Sequence, residues 1–283
     1  MAMESVKKGT LYIVATPIGN LGDLTPRAAA VFAGVDFIAA EDTRVTLKLL
    51  RHLDIKKELV SYYEHNLRER GDYILGRIAA GESCALCSDA GMPCVSDPGE
   101  VIVRDALARG VPVTPIPAAS AAVTALAVSG QATGRFCFEG FLPMNKNQRR
   151  AHLDDLLHEK RTMIFYEAPH KLRATLDDLC RAFGGERSVT LCRELTKLHE
   201  EIQKTTLAEA AAFYETHEPR GEYVLVLAGA PAAEAAEAPP TIEEAAQLAR
   251  RLMAEEGLTP AAACKKAAAG TPYSKSELYK QLL

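Results

Sequence analysis

The chain has 283 residues, 48% hydrophobic and 25% charged, a balance that suits a soluble globular protein of roughly two domains. A formal net charge of −4 excludes the global basic field that would advertise nucleic acid. The seven cysteines show no recurring paired spacing; Cys84 and Cys87 stand alone on an apparent strand, so the set reads as reduced, mostly buried thiols of a cytoplasmic protein. The first apolar run ends at Pro17 and is expected to be neither a signal peptide nor a membrane span.

In chain order, Leu11–Ala15 is a continuous apolar run, expected of a strand covered on both faces. A glycine loop follows, then Thr25 as N-cap and Pro26 as first residue of a helix carrying Ala28 to Phe32. Asp36–Ala40 predicts a second strand, ending in the polar Glu41-Asp42-Thr43-Arg44; Glu58–Tyr62 is a weaker strand, and Asn66–Ala80 has helical spacing closed by Gly81. Cys84–Cys87 is a strand, Val101–Arg109 a helix, Pro112–Pro115 a short strand, and the Ile116–Ala122 stretch opens an Ala/Val/Leu helix that runs up to Val128. This alternation implies a parallel sheet with right-handed crossovers. Residues 129–135 read as a connection, after which the alternation repeats. Strands are expected at Phe136–Phe141, Thr162–Tyr166, Ser188–Cys192 and Glu222–Ala228, with helices at Gln148–Lys160, His170–Phe183 and Leu207–Thr216. The expected organisation is α/β: an N-terminal α/β domain (1–128), a second α/β domain (129–230), a linker (231–240) rich in Ala, Glu and Pro, and a helical, helix-turn-helix-like module (241–283). In that module Thr241 with Glu244 and Ser274 with Glu277 form capping boxes, while Gly257 and Gly270 stop the first two helices.

The most informative stretch is Ala85–Gly99, where Ser88-Asp89 and Ser96-Asp97 are each followed closely by a glycine and a proline. Behind the Cys84–Cys87 strand, the first pair falls at a carboxyl strand end, where open α/β sheets bind ligands. Glycines admit close backbone approach, and aspartates accept from hydroxyls or a cation. A phosphate loop would need bare amides and a lysine. With Asp23, Glu41 and Asp42 also at strand ends, the loops suit a ligand carrying ribose hydroxyls, an ammonium and a sulfonium, namely S-adenosylmethionine. Transfer of a methyl group from such a ligand needs placement and a dry site more than covalent help.

Seven segments in order — TPIGNLGDLTPRA (16–28), AEDTR (40–44), SDAGMPCVSDPG (88–99), IPAASA (116–121), YEAPHKL (166–172), RELTKLHEE (193–201) and GEYVLV (221–226) — resemble the motif series of the ribosomal RNA small subunit methyltransferase I family, within the tetrapyrrole (corrin/porphyrin) methylase superfamily. The resemblance covers about Thr10 to Leu227, and the helical tail is similar to that family's C-terminal module. It implies two α/β domains with S-adenosylmethionine in the cleft between them, a homodimer, and 2′-O-methylation of a cytidine near the decoding site of 16S rRNA in the 30S ribosomal subunit. It also implies cofactor contacts at Pro17, Asp89, Gly91, Asp97, Gly99, Ser120, Ala121, Tyr166 and Ala168. Met92 stands where a threonine is common, and Pro117-Ala118-Ala119-Ser120 replaces a more usual Pro-Gly-Pro-Ser turn.

A ribose hydroxyl needs its proton accepted as it reacts. Glu167, His170 and Glu41 are the leading catalytic candidates; Asp42, Glu194 and His199 are further ones, and salt bridges to Arg44, Lys171, Arg193 or Lys197 are the competing role. Arg149, Arg150, Lys171, Lys265, Lys266 and Lys275 are candidate RNA contacts, since residues 142–173 hold seven basic against four acidic side chains. No metal site is expected. Two rival readings stay open: a corrin or porphyrin methylase, which has no use for a basic helical tail, and a non-catalytic nucleic-acid-binding protein, which has no use for the N-terminal loops.

Overall fold

The computed structural model describes residues 5–231, 241–268, 271 and 273–282. The chain divides into two compact units, Met1–Gly229 and Ala230–Leu283. Apart from Pro231, the expected linker lies outside the described residues, as does Gly270.

The first unit holds two five-stranded sheets. One is built from β1 (Leu11–Val14), β2 (Phe37–Ala40), β3 (Glu58–Ser61), β4 (Cys84–Cys87) and β5 (Val113–Ile116), in the order β3-β2-β4-β1-β5 with every pairing parallel. Side chains alternate along a strand. Leu11, Ile13, Phe37 and Leu86 therefore face one way, under α3 (Leu67–Ala79) and α4 (Gly99–Ala108), while Tyr12, Val14, Ile38 and Cys87 face the other, under α1 (Pro26–Gly34) and α2 (Thr43–His52). Burial on both faces explains the unbroken apolar runs. Thr25 caps α1 by accepting from the Ala28 N–H at 3.1 Å, as expected.

This arrangement positions the site. β4 lies between β1 and β2, yet it feeds α4 on one face while its two neighbours feed α1 and α2 on the other. Chains that part to opposite faces leave a crevice at the strand ends. The exit loops of β1 and β4 stay tied across it by a two-residue bridge, Thr16 and Gly91 exchanging N–H···O bonds of 2.9 and 3.0 Å.

The second sheet comprises β6 (Phe136–Phe141), β7 (Thr162–Glu167), β8 (Ser188–Arg193), β9 (Glu201–Thr206) and β10 (Tyr223–Leu227), in the order β6-β7-β10-β8-β9. Here the structure departs from a repeated parallel alternation. Only β6 and β7 run parallel; the other three pairings are antiparallel. No helix lies between β8 and β9 to carry the chain back, so the strand must return alongside. One face packs on α6 (Lys146–Asp155), α7 (Leu172–Phe183) and α8 (Leu207–Thr216) through Leu153, Leu176 and Tyr214; the other packs on α5 (Ala121–Val128), with Ile18 of the first half against it. Each buried side chain of this size contributes roughly 1.5–3 kcal/mol.

In the second unit α9 (Ile242–Glu256), α10 (Pro260–Ala268) and α11 (Lys275–Lys280) close on a small core of Ala245, Ala249, Ala263, Cys264, Ala267 and Leu278. Both expected capping boxes form, and Gly257 takes the left-handed cap of α9.

Candidate functional site

A cleft of about 320 Å³ is lined from both halves of the first unit. The first half supplies the exits of β2 and β4 and the start of α5; the second supplies the ends of β6, β7 and β8 and the start of β10.

On the first wall, Asp89 follows β4 and accepts from the Asp42 N–H at 3.1 Å through Oδ1. Asp97 closes its own loop, accepting from the N–H groups of Cys94 and Gly99, each at 2.7 Å. Among the described residues neither Glu41 nor Asp89 makes a salt bridge, although the Arg44 charge lies near enough to Asp89 to lower its carboxyl somewhat. Burial raises the Glu41 carboxyl above its ordinary value, and the charges of Asp89 and Asp97 push it further the same way. Burial likewise raises Asp89, against the Asp42 N–H that lowers it. Gly91, with φ of +81°, turns the loop beside Ile18, whose Cγ2 would stand 3.2 Å from an added Cβ; a side chain there would crowd the wall.

The carboxylates of the second wall are all held by hydrogen bonds. Lys197 Nζ donates to Glu194 Oε1 at 2.7 Å and Glu222 Oε2 at 2.8 Å. Burial raises the Glu194 carboxyl, but Lys197 and the Glu222 N–H outweigh it, and the net shift is downward. Glu167 is buried, with Oε1 accepting from the Ala168 N–H at 2.9 Å and Oε2 from the Thr175 hydroxyl. Tyr166 stands edge-on to Phe138 and Phe141, and its hydroxyl accepts from the Ala122 N–H at 3.1 Å, so the cleft wall is braced against the first turn of α5.

The two walls meet closely. A Cβ on Gly19 would fall 2.4 Å from Lys197 Cγ, so the glycine loop after β1 can lie on the loop after β8 only without a side chain there. Five non-glycine residues among those described have positive φ, and four of them, Cys94, Ser96, Glu194 and Thr196, lie in the two loops flanking the cleft. Strain of this kind concentrates at ligand clamps.

Of the residues singled out from sequence, Asp89, Gly91, Asp97, Ser120, Ala121, Tyr166, Ala168, Glu41 and Glu167 line this one cleft. Pro17 lines an adjoining groove, and Gly99 opens α4 behind the loop. His170 is exposed on the short turn Pro169–Lys171, outside the lining. Asp42 caps α2 and pairs with Arg44 at 2.6 Å, which lowers its carboxyl to about 2. Arg149 turns inward to Asp178 at 2.6 Å and Thr175 at 2.8 Å; Arg150 is exposed, 3.7 Å from Asp154, and Lys171 is half-buried. In the second unit Lys265 and Lys275 are exposed, and Lys266 binds Glu256 at 2.6 Å. Sequence reasoning named Glu194 but not Lys197, Glu222 or Phe141 as parts of the cleft. The dense alternation of charge in residues 193–201 was the available signal for Lys197; Phe141 carried none beyond its place at a strand end.

The unmatched negative charge of the first wall calls for a cation. The wall offers carboxylate and backbone acceptors, and the one lysine lining the cleft is already held by two carboxylates. The residues present therefore fit a ligand bearing a sulfonium and an ammonium beside hydroxyls.

Residues 10–211 match the family model of Tetrapyrrole (Corrin/Porphyrin) Methylases. Curated relatives called ribosomal RNA small subunit methyltransferase I are similar over most of the chain. That of Synechocystis is 46% identical, covering 96% of this chain and 96% of its own. That of Pseudomonas aeruginosa is 45% identical, covering 97% of each. That of Halalkalibacterium halodurans is 51% identical over 78% of this chain and 76% of its own. Among solved structures, diphthine synthase superposes with a TM-score of 0.59 at 14% identity, over 77% of this chain and 90% of its own. Uroporphyrin-III C-methyltransferase of Thermus thermophilus, solved with S-adenosyl homocysteine, gives 0.56 at 18%, over 77% and 97%. Those two likenesses are of fold.

Proposed function

The chain belongs to the tetrapyrrole (corrin/porphyrin) methylases and, within them, to the ribosomal RNA small subunit methyltransferase I family, and from that membership we propose that it methylates the ribose 2′-oxygen of a cytidine near the decoding site of 16S rRNA, drawing on S-adenosylmethionine. The observation that carries the reading is the unbalanced acidity of the first wall in a chain similar to these relatives from end to end. When bound, the cofactor supplies an electrophilic methyl group on a positively charged sulfur.

The chain's own residues do the rest. Asp89, its Oδ1 occupied by the Asp42 N–H, keeps a second oxygen for a ligand hydroxyl or ammonium. Asp97 and the Gly91 turn set the shape of the loop, and Ser120 and Ala121 open α5 beside it. Tyr166 and Ala168 supply the flat and close-approach parts of the opposite wall. Ile18, Phe141 and Tyr166 supply the apolar part of the lining. Glu41 is the best-placed proton acceptor. Both oxygens of Glu167 are engaged and His170 is outside the lining, whereas Glu41 lines the cleft with its proton affinity raised. It would hold the proton that the ribose hydroxyl gives up.

The protein acts in the cytoplasm on the 30S subunit, as a homodimer. No helix among the described residues is long and apolar enough to cross a membrane. The test is methyl transfer from labelled S-adenosylmethionine to 30S subunits lacking the modification, followed by nucleotide mapping. Label on one cytidine ribose is expected; label on no RNA, or on a tetrapyrrole instead, overturns the reading.

A further inference from the structure

A second groove, of about 260 Å³, shares a wall with the cleft: Ser88 and Asp89 line both. Its other side is α2 and the loop after β1, with Pro17, Leu21, Val45 and Leu49 as apolar lining and Lys48 and His52 as polar lining. Leu21 and Val45 are 48% and 38% exposed, so apolar surface is open to an occupant of the groove. The charge of α2 is also one-sided. Between its first and last residues it carries Arg44, Lys48, Arg51 and His52 and no carboxylate. Arg44 is paired with Asp42 at the helix start, but the exposed side chains of Lys48, Arg51 and His52 have no partner among the described residues.

Resting on the reading above, we propose that this groove is the acceptor subsite: the target nucleotide of single-stranded RNA lies between α2 and the loop after β1, with its flanking phosphates on Lys48 and Arg51. Three observations converge on that occupant. Methyl transfer requires the acceptor oxygen to reach the methyl carbon directly and in line, and the groove adjoins the cleft, since Ser88 and Asp89 line both. Where the cleft is lined by several carboxylates, the groove sets Lys48 and an apolar lining against the shared Asp89, and Arg51 stands three residues further along α2, so it complements a phosphate-linked nucleotide better than a second sulfonium ligand. The amino end of α2 follows directly on Glu41, so a nucleotide seated along the helix presents its sugar toward the proposed proton acceptor.

The test uses the full chain, 30S subunits lacking the methyl group, and labelled S-adenosylmethionine. Lys48→Ala with Arg51→Ala is expected to raise the KM for 30S subunits at least tenfold and leave the Kd for S-adenosyl homocysteine within twofold. The slope of log KM against log salt should also shrink by about 1.4, two phosphate contacts at ~0.7 each. Val45→Trp, which fills the groove from an exposed position, is expected to cut kcat/KM tenfold or more with the same cofactor Kd. Wild-type KM and salt slope in the double variant, a lost cofactor affinity, or a changed oligomeric state with unchanged KM would each overturn the subsite. If the wild-type chain labels no RNA, the function reading itself has failed; if it labels RNA and the α2 variants match it, the subsite alone has failed.

Discussion

The two walls of the cleft hold similar numbers of carboxylates and treat them in opposite ways. On the second wall each carboxylate is held: Lys197 bridges Glu194 and Glu222, and Glu167 is bonded by Thr175 and a backbone N–H. On the first wall burial raises both Glu41 and Asp89; the charges of Asp89 and Asp97 push Glu41 further up, while at Asp89 the Asp42 N–H and the Arg44 charge oppose the rise. A fold left to minimise its own energy would not keep the second arrangement. The uncompensated wall is the one with affinity to spare for a cation, and the compensated wall is scaffold.

Removing the charge that matters most gives the largest effect. Asp89→Ala takes a charged acceptor out of the cleft, and a hydrogen bond to a charged group is worth about 1.5–3 kcal/mol, so cofactor Kd should rise roughly 10- to 150-fold. Titration calorimetry checks it, and an unchanged Kd would remove the loop after β4 from the site. The folded stability of that variant should change little, because the burial that disfavours the Asp89 charge opposes the hydrogen bond it accepts from the Asp42 N–H.

The second wall should respond the other way, in stability first. Thr175→Val strips a hydroxyl from the buried Glu167 and from Arg149 together, leaving polar groups unsatisfied at a cost of about 2 kcal/mol in urea unfolding. Cofactor affinity should fall by less than the Asp89 variant loses. A Thr175→Val chain of wild-type stability would show that Glu167 is not held as scaffold.

This asymmetry was only half legible in the sequence. The acidic loops stood out because Asp89 and Asp97 sit among glycines and prolines behind an unmistakable strand, and α1 announced itself through Thr25 and Pro26. Compensation was not legible, because it is a matter of distance: Lys197 and Glu222 lie 25 residues apart in sequence and 2.8 Å apart in space. Two elements also passed unnoticed. β9 is an edge strand whose residues, Glu201 to Thr206, show no apolar alternation because none of its positions is fully buried. α2 hides behind the polar Glu41–Arg44 segment, although Asp42 as its cap and Arg51 and His52 in its last turn are ordinary helix signals. Missing α2 also meant searching for RNA contacts elsewhere, on α6 among other places, where Arg149 is committed inward.

Lys197→Met sharpens the contrast by making the second wall resemble the first. Glu222 is 78% exposed and its pairing is screened, so nearly all the cost falls on Glu194, about 1 kcal/mol. The Glu194 carboxyl should then rise, since the burial that lifts it is no longer offset. Carbon-detected NMR titration of that side chain reports the shift directly; a carboxyl that stays depressed would mean the Glu222 N–H suffices alone.

The smallest effect isolates the repulsion itself. A carboxyl whose pKa in the folded chain exceeds its unfolded value binds protons more tightly when folded. The stability associated with it is therefore present at low pH and is lost as pH rises from the ordinary 4.5 through the raised value. Glu41→Gln removes that loss. Without cofactor, the variant should be more stable than the parent at pH 7 by about 0.5–1 kcal/mol, and the gap should close on acidification below 4.5. Cofactor binding runs against this, because a cation favours the ionised wall: parent affinity should weaken as pH falls through the same interval, and the Glu41→Gln profile should be flatter. Urea melts and binding titrations across that interval read both. A Glu41→Gln chain less stable than the parent at every pH would mean that Glu41 is held by unseen attraction, and the two walls would then be alike.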